Sequence, residues 1–224
     1  MKILLVTATE TEASALKRIP ELRTSGDIFL LGNCELSVLI TGVGSVATSW
    51  GMAKWLSANL KPDLAINIGI AGSFNEEIKT GDVVVPVEDC FADAGIEDGS
   101  RFITLAEAGL SDPDKFPFKK GKIEAGNSFV REATKMIKPV KAITVNTASG
   151  LQQTIDRLIK KYNPDIETME GATFFYICSG EKIPFLALRS ISNRVEPRNK
   201  DNWNISLALD NLSEKLKHLL LSLD

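Results

Sequence analysis

The stretch "LAINIGIAG" (64–72) is an almost uninterrupted run of apolar residues, of strand length, that ends in closely spaced glycines. A continuous apolar run, without the alternation of a half-exposed strand, is typical of a strand covered on both faces. Three further segments share this pattern: "KILLVTA" (2–8), "GDVVVPVEDCFA" (81–92) and "PFLALRS" (184–190). Because segments with helical patterns separate them, the sequence predicts an α/β fold. We expect a single three-layer domain over residues 1–224, with a central mixed β-sheet flanked by helices.

The remaining segments extend this prediction along the chain. "DIFLLG" (27–32) and "ELSVLITG" (35–42) flank Asn33 and predict a hairpin. Pro86 lies inside a predicted strand, where its missing N–H predicts a bend. Loop-forming residues dominate 95–122, and helices are expected near residues 10–18, 45–60, 128–138, 151–161, 170–179 and 203–223.

The composition excludes several classes of partner. A net charge of −3 gives no general attraction for nucleic acid or an anionic membrane. Cys34, Cys90 and Cys178 are odd in number and widely spaced, which is typical of reduced thiols rather than of a disulfide framework. The N-terminal apolar run is too short for a signal peptide, and no segment reaches the length of a membrane span. We expect a cytoplasmic protein that binds neither nucleic acid nor a membrane.

The single histidine, His218, lies in the last helical segment, where a position at the helix surface is the simplest interpretation. This excludes a His–Cys metal cluster and argues against a Ser–His–Asp triad. Any catalysis must then use carboxylates, amides, hydroxyls and guanidinium groups, and we expect neither a metal nor an organic cofactor.

Polar clusters follow four of the predicted strands: "TATETE" (7–12), "NIGIAGS" (67–73), "TMEG" (168–171) and "RSISN" (189–193). In α/β sheets, ligands bind in the crevice beyond the carboxyl ends of the strands. We therefore expect the four clusters to converge on one pocket.

"TGVGSVA" (41–47) fits the dinucleotide-binding pattern G-x-G-x-x-A, and it lies between a strand and a helix. The next strand does not end in the acidic residue that such a site needs for the ribose, so a tight turn that opens a helix is the better interpretation. The glycines of 67–73 form either a plain turn or a place where backbone approaches a flat ligand, with Gly72 as the candidate contact.

Two carboxylates in these clusters have alternative interpretations. Glu170 precedes the apolar helical segment "ATFFYIC" (172–178), so it is either a charge stabilised by the helix dipole or a ligand for the vicinal hydroxyls of a sugar. Glu12 is either a first-turn helix charge or a general base. The residues alone leave both alternatives open.

These clusters belong to six segments that occur in a fixed order: "KILLVTATETEASAL", "LITGVGSVATSWGMAKWL", "PDLAINIGIAGSF", "KTGDVVVPVE", "IETMEGATFFYIC" and "IPFLALRSISN". In this order and approximate spacing they resemble the purine nucleoside phosphorylase and nucleosidase superfamily, over nearly the whole chain. The resemblance implies that Glu12 activates water, that Glu170 binds the ribose hydroxyls, and that Met169 lies beneath the sugar. It also implies that Arg189 lies near the water and the catalytic carboxylate.

The resemblance places Ser192 and Asn193 at the end of the strand that reads the base. The related methylthioadenosine/S-adenosylhomocysteine nucleosidases have Asp where this chain has Asn193. An amide can accept a hydrogen bond from a protonated N7 while donating one to a 6-oxo group, so Asn193 favours hypoxanthine or guanine. Ile70 replaces a small hydroxyl residue of those relatives, in a position that implies contact with the substrate.

Asn193, "NIGIAG" and the segment "EPRNKDNWNI" (196–205) together resemble the futalosine hydrolase branch of the superfamily. That resemblance implies hydrolysis of the N-glycosidic bond of futalosine, with release of hypoxanthine. It makes Arg194 or Arg198 a candidate contact for the substrate carboxylate, although the same segment can be a plain charged loop. Phe91 is a candidate for stacking on the base, with a core position as the alternative.

The alternatives are a methylthioadenosine/S-adenosylhomocysteine nucleosidase, then a purine nucleoside phosphorylase, and then a nucleoside-binding protein without catalysis. The presence of Glu12 argues against the last of these, because binding alone needs no carboxylate to activate water. The superfamily builds its 5′ pocket at a subunit interface, which implies a homodimer or a higher homo-oligomer.

Overall fold

A computed structural model describes residues 1–99, 101–197 and 199–223. Most of its strands form one mixed sheet, in which the order is β11-β10-β6-β12-β5-β1-β4-β3-β2 and β9 pairs with β6. The strands of this sheet are β1 (Lys2–Thr7), β2 (Arg23–Ser25), β3 (Ile28–Leu31), β4 (Cys34–Ile40), β5 (Leu64–Ser73), β6 (Val83–Asp89), β9 (Ile123–Glu124), β10 (Lys138–Thr144), β11 (Ile166–Thr168) and β12 (Phe185–Arg194). A separate hairpin consists of β7 (Gly95–Asp98) and β8 (Arg101–Thr104).

The centre of the sheet is parallel, because β5 pairs in parallel with both β1 and β12. These strands are the continuous apolar runs of the sequence, and their side chains are almost wholly buried. Beyond β12 the strand direction reverses, because β6 is antiparallel to β12 and parallel to β10. Since β11 also pairs with the end of β5, the strands β5, β12, β6, β10 and β11 close into a ring.

Helices flank this sheet, as predicted. They are α1 (Glu10–Ala13), α2 (Ser45–Ala58), α3 (Ser128–Ala133), α4 (Gln152–Tyr162), α5 (Gly171–Gly180) and α6 (Ile205–Leu221). Helix α5 packs against α2 and the strands of the ring, while α6 lies along β12, β5 and β6. This confirms the predicted three-layer α/β architecture with a central mixed sheet.

Several local predictions can be compared directly with the structure. The hairpin around Asn33 is confirmed as the antiparallel pair of β3 and β4. Opposite Pro86 the pairing of β10 with β6 shifts by one residue, which is the irregularity expected where a ladder N–H is missing. The expected helix over 10–18 is instead the short α1 followed by a 3₁₀ turn over Leu16–Arg18. The loop-rich stretch 95–122 contains the hairpin of β7 and β8, whose charged, mostly exposed residues carry no strong strand pattern.

No helix within the described ranges is long and apolar enough to cross a membrane. The three cysteines are buried and form no disulfide with one another. The cytoplasmic location stays a prediction.

Candidate active site

A cavity of about 330 Å³ lies at the ends of β1, β5 and β12. Because these strands are parallel, their carboxyl ends meet at one edge of the sheet, as predicted. Strand β11 runs in the opposite direction and pairs with Ser73 and Gly72 at the end of β5, and the residues after it, Met169 and Glu170, line the same cavity. The residues predicted for the site that line it are Glu12, Ile70, Gly72, Met169, Glu170, Ser192 and Asn193.

Glu12 occupies the first turn of α1, directly after β1, and it is only 9% exposed. Its Oε2 accepts hydrogen bonds from the amides of Ala8 and Thr9 at 3.2 Å and from the hydroxyls of Thr7 and Thr9. Thr9 is the N-cap of α1, and it forms a reciprocal capping box with Glu12. Five donors in all orient this carboxylate, which is a first-turn helix charge and also lines the cavity; its role as a general base stays a prediction.

The fifth donor comes from β5. The amide of Ile70 donates to Glu12 Oε1 at 3.0 Å, and the missing side chain of Gly69 leaves room for that oxygen. A Cβ on Gly69 would lie 2.5 Å from Glu12 Oε1, well inside contact distance. Ile70 therefore contributes a backbone donor to the Glu12 carboxylate. Gly69 is a site residue that the sequence analysis did not single out.

Glu170 is at the N-cap position of α5, but its side chain does not cap that helix. It is 9% exposed, and its Oε1 accepts a hydrogen bond from the amide of Gly44 at 2.9 Å. Burial raises the pKa of Glu170, although the Gly44 amide and the charge of Arg189 act in the opposite direction. Gly44 has φ of +88° and belongs to the turn that opens α2. The G-x-G-x-x-A motif is thus a tight turn, as predicted, and one of its amides positions Glu170.

Asn193 lies at a bulge where the register between β12 and β5 shifts after Ile191. Its Nδ2 donates to the carbonyl of Arg194 at 2.7 Å, and its Oδ1 accepts from the hydroxyl of Ser192 at 2.7 Å. Rotating the amide by 180° would place Oδ1 against the carbonyl oxygen of Arg194. The local contacts therefore define which end of the amide is the donor and which is the acceptor.

Arg189 lies behind the cavity rather than in its lining. Its side chain is almost wholly buried, and it donates to the backbone carbonyls of Asn67 at 2.8 Å and of Leu188 at 3.0 Å, and to the side-chain oxygen of Asn67. Burial lowers the pKa of Arg189, while the nearby charges of Glu170, Glu12 and Asp89 act to raise it. Arg189 is therefore a buried counter-charge to these carboxylates, and its place near the water and the catalytic carboxylate stays a prediction.

The cavity also contains residues that the sequence analysis missed, among them Val43, Glu167 and Trp203. Glu167 is buried, its carboxylate accepts hydrogen bonds from the amide (2.9 Å) and the hydroxyl of Ser149, and burial raises its pKa. A signal for it was present, because alternate residues of a strand share a face and Met169 is two positions further on. Trp203 precedes α6 in a segment whose pattern is that of a charged loop.

A comparison of the chain with known protein families identifies its family. The model of the Phosphorylase superfamily matches residues 2–223. The chain belongs to this superfamily.

Several individual relatives agree with membership of the superfamily. A 5′-methylthioadenosine/S-adenosylhomocysteine nucleosidase of Buchnera aphidicola is 28% identical over 251 residues, which cover 99% of this chain and 96% of the relative. Futalosine hydrolase of Helicobacter pylori has a similar structure, with a TM-score of 0.78 at 18% identity over 99% of this chain and 98% of the other. A 5′-methylthioadenosine/S-adenosylhomocysteine nucleosidase of S. pneumoniae reaches a TM-score of 0.80 at 20% identity over the whole of both chains.

These relatives are nucleosidases and a hydrolase, which confirms the predicted enzyme class within the superfamily, an N-glycosyl hydrolase. The structural likeness confirms the predicted fold. The individual roles of the site residues stay predictions.

Two further candidates, Phe91 and Arg194, do not line this cavity. Phe91 lines a different, larger cavity beside the 95–122 segment, with its ring centroid 6.4 Å from that of Phe118. Phe91 forms an isolated β-bridge with Thr144, which holds it beside that larger cavity. It therefore cannot stack on a base in the site cavity of the same chain. Arg194 forms an exposed ion pair with Glu76 at 3.4 Å, and Arg198 lies outside the described residues.

The polar residues that line the cavity at the ends of β1, β5 and β12 supply carboxylate, amide and hydroxyl groups. In the part of the chain that the structure describes, no group of three or more His, Cys, Asp or Glu residues could hold a metal ion. The cavity therefore pairs one well-oriented carboxylate, Glu12, with a second buried carboxylate, Glu170, and an amide of defined orientation, Asn193. This arrangement can orient water, hold vicinal hydroxyls and hydrogen-bond to a planar base.

Proposed function

We propose that this protein hydrolyses the N-glycosidic bond of a 6-oxopurine nucleoside, and that the nucleoside is futalosine. The observation that carries the proposal is the orientation of the Asn193 amide in the cavity that also contains Glu12 and Glu170. The catalytic step and the choice of base depend on different residues.

In the proposed reaction, Glu12 accepts a proton from a water whose oxygen bonds to the anomeric carbon of the ribose. The bond between that carbon and N9 breaks, its electron pair leaves with the base, and N7 of the base takes up a proton from solvent. Glu12 is suited to this because five donors hold its carboxylate in place, which is the arrangement expected of an oriented general base. Proton transfer by a positioned group contributes about 10²- to 10⁴-fold to a rate.

Glu170 and Met169 support the sugar in this proposal. Glu170 accepts hydrogen bonds from the vicinal hydroxyls and so holds the ribose against the water. The Gly44 amide donates to Oε1, and a carboxylate has further acceptor sites that a ligand can use. Met169, half-buried beside it in the cavity, offers an apolar surface to the ring.

Asn193 supports a 6-oxopurine over a 6-aminopurine. With its Nδ2 on the Arg194 carbonyl and its Oδ1 on the Ser192 hydroxyl, the amide retains one N–H and one acceptor site. These can donate to O6 and accept from a protonated N7 of departing hypoxanthine. A 6-amino group would face an N–H donor, and polar groups left unpaired in this way are strongly rejected.

A second candidate is a 5′-methylthioadenosine/S-adenosylhomocysteine nucleosidase. The observation in its favour is the 28% identity to the Buchnera aphidicola nucleosidase over almost the full length of both chains. Among the comparisons, the match to this relative is the stronger one in sequence, whereas the likeness to the futalosine hydrolase, at 18% identity, concerns the fold.

A product assay separates these candidates. Futalosine, inosine and methylthioadenosine are each incubated with the protein, with and without phosphate, and the Glu12→Gln variant is the control for contaminating activity. We expect hypoxanthine from futalosine, independent of phosphate. Adenine from methylthioadenosine without hypoxanthine from futalosine would establish the second candidate, and a requirement for phosphate would indicate a phosphorylase.

We also propose that the protein is a homodimer or a higher homo-oligomer. Val46 and Trp50, one turn apart on α2, are 84% and 70% exposed, and Tyr176 on α5 lines the same open groove. Large apolar side chains grouped in this way mark interaction surfaces. Sedimentation velocity at assay concentration is expected to give at least a dimer, and a monomer there would contradict this part of the proposal.

A further inference from the structure

Glu167 is a carboxylate in the cavity that has no part in the reaction proposed above. It is 7% exposed, although it belongs to the lining. Ser149 holds it from one side, since the Ser149 amide donates to Oε1 at 2.9 Å and the Ser149 hydroxyl donates to Oε2. A carboxylate that accepts through both oxygens offers a ligand further acceptor sites, so the group that it best recognises is a hydrogen-bond donor.

The sheet places Glu167 and Asn193 on either side of Gly72. Glu167 on β11 pairs with Gly72, and so does Asn193 on β12. Residues directly opposite each other on neighbouring strands share a face of the sheet, and two strand spacings separate the outer Cα atoms by about 10 Å. All three residues line the cavity, and between the two polar side chains Gly72 has none. This leaves a slot whose sides are an amide and a carboxylate.

The absence of a side chain at Gly72 is required by its neighbours. A Cβ there would lie 2.8 Å from Cγ2 of Val195 and 3.3 Å from Nδ2 of Asn193. Gly72 therefore allows the side chains of Val195 and Asn193 to come close to the backbone of β5 between the amide and the carboxylate.

The two sides of the slot match two edges of a 6-oxopurine. Hypoxanthine presents N7 and O6 along one edge, which the Asn193 amide matches, and the neighbouring position N1 carries a hydrogen. In adenine N1 carries no hydrogen and is an acceptor. A carboxylate near N1 therefore pairs with hypoxanthine and repels the lone pair of adenine N1.

We propose that Glu167 accepts a hydrogen bond from N1–H of the base, and that it is a second specificity-determining residue beside Asn193. This inference rests on the proposed function, because Asn193 sets the orientation of the base. Glu167 touches the base alone, so its contribution applies to the free base as well as to the nucleoside.

The test measures binding of free bases by isothermal titration calorimetry. The probes are hypoxanthine and 1-methylhypoxanthine, in which a methyl group replaces the N1 hydrogen. The wild type is expected to prefer hypoxanthine by about 10- to 100-fold, the range for a hydrogen bond to a charged group. In Glu167→Gln the preference is expected to fall toward that of a neutral hydrogen bond, because an amide oxygen replaces the charged carboxylate as the acceptor. Any steric cost of the methyl group stays the same in both proteins and cancels.

Two further variants complete the design. Ser149→Ala removes the hydroxyl that orients Glu167 and is expected to reduce the preference in part, so the inference stays testable if Glu167→Gln does not fold. Glu132→Gln, the same chemical change at an exposed position on α3, is expected to keep the full preference.

The outcomes separate this inference from the proposed function. If futalosine is hydrolysed but Glu167→Gln keeps the full preference for hypoxanthine, the inference is wrong and the function stands. If the preference depends on Glu167 but futalosine is not a substrate, the inference stands and the nucleoside is a different 6-oxopurine. A wild type that binds both bases equally, or neither, overturns the inference.

Discussion

The carboxylate of Glu12 fills the space that a side chain at Gly69 would need: a Cβ there would lie 2.5 Å from Glu12 Oε1. The next residue along β5, Ile70, donates its amide to the same oxygen at 3.0 Å. A glycine in a central strand normally weakens it, so its presence marks a close approach of another group. Here the approaching group is the proposed general base.

Gly69→Ala is therefore expected to damage catalysis more than folding. The new methyl group displaces the Glu12 carboxylate and breaks its contact with the Ile70 amide. We expect kcat to fall by about 100-fold, the lower end of what a positioned general base contributes, with a smaller change in KM. Steady-state kinetics on the nucleoside identified by the product assay measures both.

Gly126→Ala is the matched control, since a Cβ at Gly126 meets no atom within 4 Å. That variant is expected to keep wild-type kcat. A Gly69→Ala enzyme with normal kcat would show that Glu12 tolerates the displacement and that its present position is not needed for turnover.

Asn193→Asp is expected to shift the preference from 6-oxopurines toward 6-aminopurines. An ionised Asp would place an oxygen against the carbonyl of Arg194, where Nδ2 now donates at 2.7 Å. A protonated Asp can restore that bond, but it leaves no donor for O6. We expect kcat/KM for the 6-oxopurine nucleoside to fall about 10- to 100-fold.

The measurement compares kcat/KM for inosine and adenosine derivatives with the same 5′ group. Asn59→Asp is the control, because Asn59 also donates its Nδ2 to a backbone carbonyl, that of Trp55 at 2.8 Å, but on the exposed surface. An unchanged ratio in Asn193→Asp would mean that other residues read the base.

Binding of the nucleoside is expected to weaken as the pH falls. The weakening should begin at a higher pH than it would if the pKa of the glutamate had its usual value. Burial raises the pKa of Glu170, so it takes up a proton sooner than an exposed glutamate would as the pH falls. Once protonated, it loses acceptor capacity for the ribose hydroxyls. The dissociation constant, measured in the inactive Glu12→Gln variant from about pH 4 to pH 8, should rise toward the acidic end. In the double variant Glu12→Gln/Glu170→Gln, the dissociation constant should be higher over the whole pH range and should lose much of its pH dependence. An unchanged pH dependence would argue against Glu170 as the group that titrates.

The sequence predicted the fold because the determinants of the fold are local. Continuous apolar runs such as 64–72 specify buried strands, and the glycines of 41–47 specify a turn before a helix. The convergence of Glu12 and Glu170 on one cavity was also predictable, since both follow strands of the sheet. What the sequence could not show was the direction in which β11 crosses the end of β5, which depends on pairing between residues far apart in the chain.

That long-range pairing explains the residues that the sequence analysis missed or misplaced. Glu167 reaches the cavity only because β11 lies beside Gly72. Phe91 follows the end of β6, but its isolated bridge with Thr144 at the end of β10 places it in the larger cavity beside the 95–122 segment. Arg189 was expected near the water and the catalytic carboxylate, and the pairing of β12 with β5 buries it behind the cavity.

Asp89 provides the last prediction, on stability rather than activity. It is 1% exposed at the end of β6, where its Oδ1 accepts from the Cys90 amide at 2.7 Å and from the hydroxyl of Thr144 at 3.0 Å. Among the described residues, its Oδ2 has no hydrogen-bond partner. Burial raises the pKa of Asp89 to about 7, against the effects of these hydrogen bonds and of the charge of Arg189.

A raised pKa in the folded state means that the native protein holds this proton over a pH range in which the unfolded chain has released it. The contribution of Asp89 to stability is therefore fully present below the unfolded pKa of about 4, and it is lost as the pH rises through about 7. The Asp89→Asn variant has no ionisable proton at this position, while its amide oxygen keeps an acceptor for Cys90 and Thr144. The free energy of unfolding of Asp89→Asn minus that of wild type is expected to increase steadily between about pH 4 and pH 8. Urea unfolding across that range measures the difference, with Asp27→Asn on the exposed β2–β3 turn as the control. A difference that stays constant with pH would show that Asp89 is ionised in the native state throughout.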